Sequence, residues 1–220
     1  MIDALITARG GSKRLPKKNF RNFCGKPLIS WTIEAAKNSK FISKIYVSTD
    51  SEEIAEIAIK YGAKIPSLRS DELSRDNSSS VDVVLDFQKY IDSDEILLLQ
   101  PTSPLRTTDY INQFMELIRE KKPLQCVSVV DIKNKLNFCY EYKKFFRKFE
   151  LKDEIRYLIP NGAMYYTKFD ILEKERKFIS KSSLYFIMPE IHSIDIDTID
   201  DWNIAKSIML LKEGEKLDKL

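Results

Sequence analysis

Histidine is nearly absent: His192 is the one histidine in 220 residues. Chemistry resting on a histidine dyad, a histidine-rich metal cage or a Ser-His-Asp triad is therefore disfavoured. Cysteine is scarce too. Cys24, Cys126 and Cys139 are odd in number, widely spaced and form no CxxC pair, which excludes a disulfide framework or zinc ribbon and reads as reduced cytosolic thiols. No run of about 18 apolar residues occurs, and Met1-Ile2-Asp3-Ala4 lacks the basic start of a signal peptide. A cytoplasmic location without a membrane span is the expectation. Charge of one sign is also missing: 36 basic against 33 acidic residues leave a net charge of +3. That balance gives no case for nucleic acid or a membrane surface, and it permits small anionic substrates. Carboxylates, cations, backbone amides or a metal must carry any chemistry.

What is present is an ordinary globular composition, 43% hydrophobic and 31% charged, on a length that fits one domain, 1–220. With six glycines and eight prolines there is no repeat or low-complexity stretch. Ile2–Thr7 is an apolar run that meets a glycine turn, so it reads as a buried strand. Pro27 fronts a helix carrying Leu28, Trp31 and Ala35. Lys44–Asp50 predicts a second strand, and Ser51-Glu52-Glu53 opens a helix that stops at Gly62. Ala63–Pro66 predicts a third short strand, Val81–Ile91 a helix, Glu95–Gln100 a central strand and Asp109–Glu120 a helix. This alternation predicts a parallel sheet with helices on both faces.

Past this point the chain becomes rich in Tyr, Phe and Lys, with strands predicted at Gln125–Val130, Leu136–Tyr142 and Lys144–Phe149 and a small β-rich excursion over about 131–160. Gly162–Thr167, Leu184–Met188 and Ser193–Asp197 read as further strands. A closing helix over Ile199–Leu211 turns Ile204, Ile208 and Leu211 inward, with Thr198 and Asp201 as its capping box.

Three segments carry chemistry. Gly10-Gly11 follows the first strand, and the surrounding loop supplies Arg9, Lys13, Arg14, Lys17 and Lys18. Adjacent glycines allow close backbone approach and an anion-binding nest, at the strand end where such sheets bind ligands. The loop reads as a phosphate grip; a solvated basic turn is the competing reading. It matches neither GxxxxGK[ST] nor GxGxxG. Asp195 and Asp197 stand two apart in an extended segment, so both face one side while Ile194 and Ile196 face the other. Two carboxylates about 5–7 Å apart repel by about 2–3 kcal/mol at an effective dielectric near 20, and a hard divalent cation reverses that sign. Helix capping is the alternative, although it leaves Asp195 unexplained. Gln100 ends a central strand before the rigid Pro101-Thr102-Ser103-Pro104 turn, where its amide suits a base or sugar amide as well as simple turn chemistry.

Together the ARGGSK-x-x-x-KN loop to Asn19, LQPTSPLR at Leu99–Arg106, NGAMYY at Asn161–Tyr166 and SIDID at Ser193–Asp197 resemble the cytidylyltransferases that activate sialic acids, related nonulosonic acids and, more distantly, 3-deoxy-manno-octulosonate. The resemblance runs from Ile2 to about Ala205. It implies a Rossmann-like α/β fold, CTP as co-substrate, an acidic sugar as acceptor, Mg²⁺ or Mn²⁺, and a homodimer formed through the β-rich excursion. Gly10, Gly11, Ser12 and Lys18 would contact the triphosphate beside Lys13. Arg9, Asn19, Arg69 and Ser80 match positions for cytosine, ribose or phosphate. Gln100, Asn161, Gly162 and Ala163 match the sugar side, and Asp195 and Asp197 the metal ligands. The implied reaction is attack of the sugar hydroxyl on the α-phosphorus of CTP, with Arg9 and Lys18 offsetting charge.

Departures fall on the sugar side. The arginine-rich segment usual before NGA is replaced here by Glu150–Pro160, with Lys152 and Arg156 as its cations, and the connection from LQPTSPLR is shorter. Position 14 is Arg where Gly is frequent. An octulosonate or a sugar 1-phosphate as acceptor, or a catalytically silent nucleotide-binding homologue, are the alternative readings.

Overall fold

The structure, a computed structural model, describes residues 1–132, 147–151 and 154–217. Strand β1 (Ile2–Thr7) leads through the glycine loop to a two-stranded hairpin, β2 (Asn22–Phe23) and β3 (Lys26–Pro27), then helix α1 (Leu28–Lys37). Strand β4 (Ile42–Ser48), helices α2 (Glu52–Tyr61) and α3 (Ser80–Phe87), strand β5 (Glu95–Leu99), helix α4 (Thr108–Lys121) and strand β6 (Gln125–Asp131) follow. The chain closes with β7 (Arg147–Leu151), β8 (Glu154–Lys168), α5 (Phe169–Glu175), β9 (Leu184–Met188) and α6 (Ile199–Leu217).

The main sheet runs β4-β1-β5-β8-β6-β9, with β7 pairing β8 off this path. β1 is parallel to β4 and β5, and β6 is parallel to β9; β8 alone is antiparallel to its neighbours in this row. The expected mostly parallel sheet is present. Alternation along the strands sends Ala4, Ile6, Leu97 and Leu99 to one face, against α1, α2 and α4. Leu5, Ile96 and Leu98 go to the other, against α3 and α5.

A third, smaller cluster matters most for function. Leu15 of the glycine loop, Phe23, Leu28, Leu105, Ile196, Trp202 and Ala205 pack together, with Phe23 and Trp202 edge to face at 5.0 Å. It gathers segments far apart in sequence around one end of the sheet.

Several expectations need correction. Ala63–Pro66 is no strand: it contributes a single bridge, Lys64 to Tyr46. Gly62 turns the chain just before it at φ 101°, and Pro66 has no N–H with which to extend a ladder. The helix expected through Ile91 ends at Phe87, and residues 88–90 tighten into a 3-10 turn. Ser193–Asp197 lies outside the sheet, tied by the Ile196 N–H to Thr102 O at 2.8 Å. In α6 the inward residues are Trp202 and Ala205, with Ile208 and Met209 beside them, whereas Ile204 is 54% and Leu211 68% exposed. The capping box does form: Thr198 N–H donates to Asp201 Oδ2 at 2.8 Å and Asp201 N–H to Thr198 Oγ1 at 3.2 Å. In the β-rich region β7 pairs with Glu154–Leu158 of β8; the strand expected at 136–142 and the cation Lys152 lie outside the described residues.

Burial of the α6 face has a measurable consequence. Trp202→Ala should lower stability by about 3–5 kcal/mol, whereas Ile204→Ala should stay within about 0.5 kcal/mol, read from urea unfolding midpoints. Equal losses would contradict this orientation of α6.

Candidate active site

The loop after β1, the loop before α3, the end of β5 and the SIDID segment enclose a cavity of about 500 Å³. Of the residues singled out in the sequence, Arg9, Ser12, Lys13, Lys18, Asn19, Arg69, Ser80, Gln100, Asp195 and Asp197 line it. The same wall includes Arg14, Arg75, Asp76 and Thr102.

The remaining candidates do not line it. Gly10 donates its N–H to Asp50 Oδ1 at 2.8 Å, and a Cβ there would come within 3.1 Å of the Ser51 Cβ. Gly11 faces open space. Asn161 is buried, accepting from Ser128 Oγ at 2.6 Å and donating to Ser193 Oγ at 2.9 Å, so it anchors the start of SIDID. Ala163 is buried as well. Gly162 has φ +77°, and a Cβ on it would stand 3.0 Å from Asp195 Oδ2 and 3.4 Å from Gln100 Oε1. Glycine there lets those two side chains approach the bulged backbone.

Four of the five cations of the glycine loop are already compensated within the chain. Arg9 Nη1 meets Asp76 Oδ1 at 2.7 Å, and Lys13 pairs with the other oxygen of that carboxylate. Arg14 Nη2 meets Asp197 Oδ2 at 2.7 Å, and Lys18 Nζ meets Asp197 Oδ1 at 3.0 Å while donating to Ile196 O at 2.6 Å. Hydrogen bonds from Lys13 and then Arg9 hold the Asp76 carboxyl below its usual range. Arg69, almost wholly buried and 3.8 Å from Asp50, has its pKa lowered by burial, which Asp50 opposes. Asn19 holds the Arg9 carbonyl at 2.9 Å while its own Oδ1 is buried without a partner.

Asp195 differs from Asp197. Burial raises its pKa; the Thr102 hydroxyl lowers it, and the nearby Asp197 charge raises it again. Its Oδ1 is buried with no hydrogen-bond partner. A buried acceptor in that state, beside a second carboxylate on a cavity wall, suits a hard divalent cation. Among the described residues no group of three or more His, Cys, Asp or Glu assembles; Asp195 and Asp197 would hold such a cation only together with substrate phosphates.

A second cavity of about 280 Å³ adjoins the first and shares Ser80 and Gln100 with it; Leu98, Tyr165, Lys177, Phe178 and Ile179 complete its lining. Burial, followed by the charge of Asp195, pushes the Tyr165 hydroxyl up to about 12. Asp195 lines the first cavity, and its charge also reaches Tyr165 of the second. Sequence reasoning missed Asp76 and the second cavity: an aspartate in a serine-rich loop has no spacing signal, and Phe178-Ile179 belong to no motif.

A sequence model of the family described as cytidylyltransferase matches residues 4–184. The CMP-N,N'-diacetyllegionaminic acid synthase of Legionella pneumophila is 37% identical, over 96% of this chain and 97% of that protein. The pseudaminic acid cytidylyltransferase of Campylobacter jejuni is 36% identical, over 92% of this chain and 93% of that one. Among solved structures, the CMP:2-keto-3-deoxy-manno-octonic acid synthetase complexed with CTP superposes with a TM-score of 0.76 at 16% identity, over 96% of this chain and 99% of that one; at that identity the likeness is one of fold. The chain belongs to the cytidylyltransferase family and is a nucleotidyltransferase. Among the described residues no helix is long and apolar enough to cross a membrane.

Asp76 competes with any phosphate for Arg9 and Lys13. Asp76→Asn should tighten the binding of inorganic pyrophosphate by a factor of about 2–5, the scale of an exposed ion pair, in titration calorimetry. Weaker binding would show that Asp76 supports the site instead.

Proposed function

We propose that the protein transfers CMP from CTP to the anomeric hydroxyl of an acidic sugar of the nonulosonic type and releases pyrophosphate. The observation that carries this reading is the pair of adjoining cavities, one cationic and one partly aromatic, that meet at Ser80 and Gln100 beside Asp195. The larger holds Arg9, Lys13, Arg14, Lys18 and Arg69, enough positive charge for a triphosphate. The smaller offers apolar walls with an amide and a hydroxyl, as suits an acylated sugar. The named activities of the Legionella and Campylobacter relatives agree with it.

In this reading the chain's own work is positioning and charge compensation. Lys18, fixed by Ile196 O, sits where it can serve the phosphates and Asp197 together. Arg9 and Lys13 exchange Asp76 for phosphate oxygens. Gln100 stands at the junction and orients the acceptor. Asp195 and Asp197 would hold Mg²⁺ or Mn²⁺, which when bound neutralises phosphate charge and eases deprotonation of a hydroxyl. With one histidine in the chain, a carboxylate site is the available device for that deprotonation. We further propose a cytoplasmic homodimer of single-domain protomers, joined through the β-rich lobe at about 131–160. The clustering of Phe138, Tyr140, Tyr142, Phe145, Phe146 and Phe149 in that stretch supports it.

The test is CTP-dependent pyrophosphate release with di-N-acetylated nonulosonates, N-acetylneuraminate, octulosonates and sugar 1-phosphates side by side. A di-N-acetylated nonulosonate should be the best acceptor. N-acetylneuraminate should trail it by a factor of about 30 or more, the effect of a lost bidentate arginine contact. Asp195→Ala should abolish release. Preference for a sugar 1-phosphate, or no release with any acceptor, would overturn the reading.

A further inference from the structure

Arg106 closes the LQPTSPLR turn, and its guanidinium is 1% exposed. Its Nη1 donates to Gln100 O at 3.2 Å and to Ala163 O at 2.9 Å. Its Nε and Nη2 are buried without a partner, and no carboxylate pairs with it among the described residues. Burial alone pushes its pKa down to about 9. A cation held this way lowers stability, because it loses hydration with neither an ion pair nor a full set of hydrogen bonds in return.

What it grips explains its presence. Val127 and Val129 of β6 pair with Tyr165 and Pro160 of β8, so Asn161 to Met164 bulge out opposite Ser128 alone. On the other side, the β5–β8 pairing ends at Leu99 with Met164, and the next bond, Gln100 N–H to Ala163 O, is stretched to 3.4 Å. The bulge is thus weakly held by backbone where it meets the site. Gly162 at its crest would place a Cβ 3.0 Å from Asp195 and 3.4 Å from Gln100; small movements of the bulge therefore change both.

We propose that Arg106 is a positioning residue for the acceptor half of the site: by binding the carbonyls of Gln100 and Ala163 together it sets the Gln100 side chain and the Gly162 bulge against Asp195. It touches neither cavity, and it makes no bond to the Arg9–Asn19 loop. The inference rests on the proposed function for which half of the site takes the sugar.

Arg106→Met keeps the volume and removes both charge and donors. The expected result is a melting temperature at or above that of the parent, a CTP dissociation constant within about twofold, and acceptor kcat/KM lowered about tenfold or more, as displacements near 1 Å do. Arg106→Lys, with an ammonium able to reach one or both carbonyls, should recover part of the acceptor loss. A merely structural arginine would instead lower stability and weaken CTP and acceptor use in parallel; that result, unchanged acceptor kinetics, or failure of both variants to fold would overturn the proposal. If the parent releases no pyrophosphate with any acceptor, the proposed reaction falls. The clamp is then read by amide exchange, where Arg106→Met should speed exchange at Gln100 and in residues 161–164, and unchanged protection would overturn it.

Discussion

Charge compensation across the cleft is the constraint on which the site depends. Four of the five cations in the loop after β1 are neutralised by two carboxylates, Asp76 for Arg9 and Lys13, Asp197 for Arg14 and Lys18. Without these partners the cations would repel one another on a short loop. The same pairing makes the loop exchangeable. In the proposed reaction a triphosphate offers several oxygens where Asp76 offers two, and a divalent cation would share Asp197 once Arg14 turns to phosphate. Ligand binding would then be a swap of ion pairs.

The fold keeps those partners in register through apolar contacts remote from the chemistry. Leu15 fixes the glycine loop, Ile196 the carboxylate segment, Leu105 the turn after β5, and all three pack on Phe23 and Trp202. On the proposed function, positioning of the sugar side rests elsewhere, on the bulge of β8 and the buried arginine beneath it. The two halves of the cleft would thus have separate supports, so a nucleotide half could persist while a sugar half varies.

Much of this was legible in the residues. Side-chain alternation in extended chain needs no partner strand, so Asp195 and Asp197 could be placed on one side with Ile196 opposite, and both carboxylates do line the cavity. Membership of that segment in the sheet depends on distant ladder partners, and it was misread. In α6, the spacing of Ile204, Ile208 and Leu211 suggested the inward face; the real contact runs through Trp202 and Ala205, with Ile208 at its edge. Asp76 gave no signal, and Arg106 stood in a recognised run without a legible role, because their roles arise from tertiary partners, two loop cations in one case and two carbonyls in the other. Family likeness supplied what spacing could not, namely which strand ends share a cleft.

The most direct test of ion-pair exchange is Mn²⁺ binding followed by electron paramagnetic resonance, with and without CTP. Arg14 and Lys18 pair with Asp197; in the proposed exchange phosphates would draw Arg14 away, so CTP should tighten Mn²⁺ on the parent by about tenfold or more. In Arg14→Gly, Mn²⁺ alone should bind more tightly than to the parent, and the gain from CTP should shrink. Equal Mn²⁺ affinity in parent and variant, with no added effect of CTP, would contradict the account.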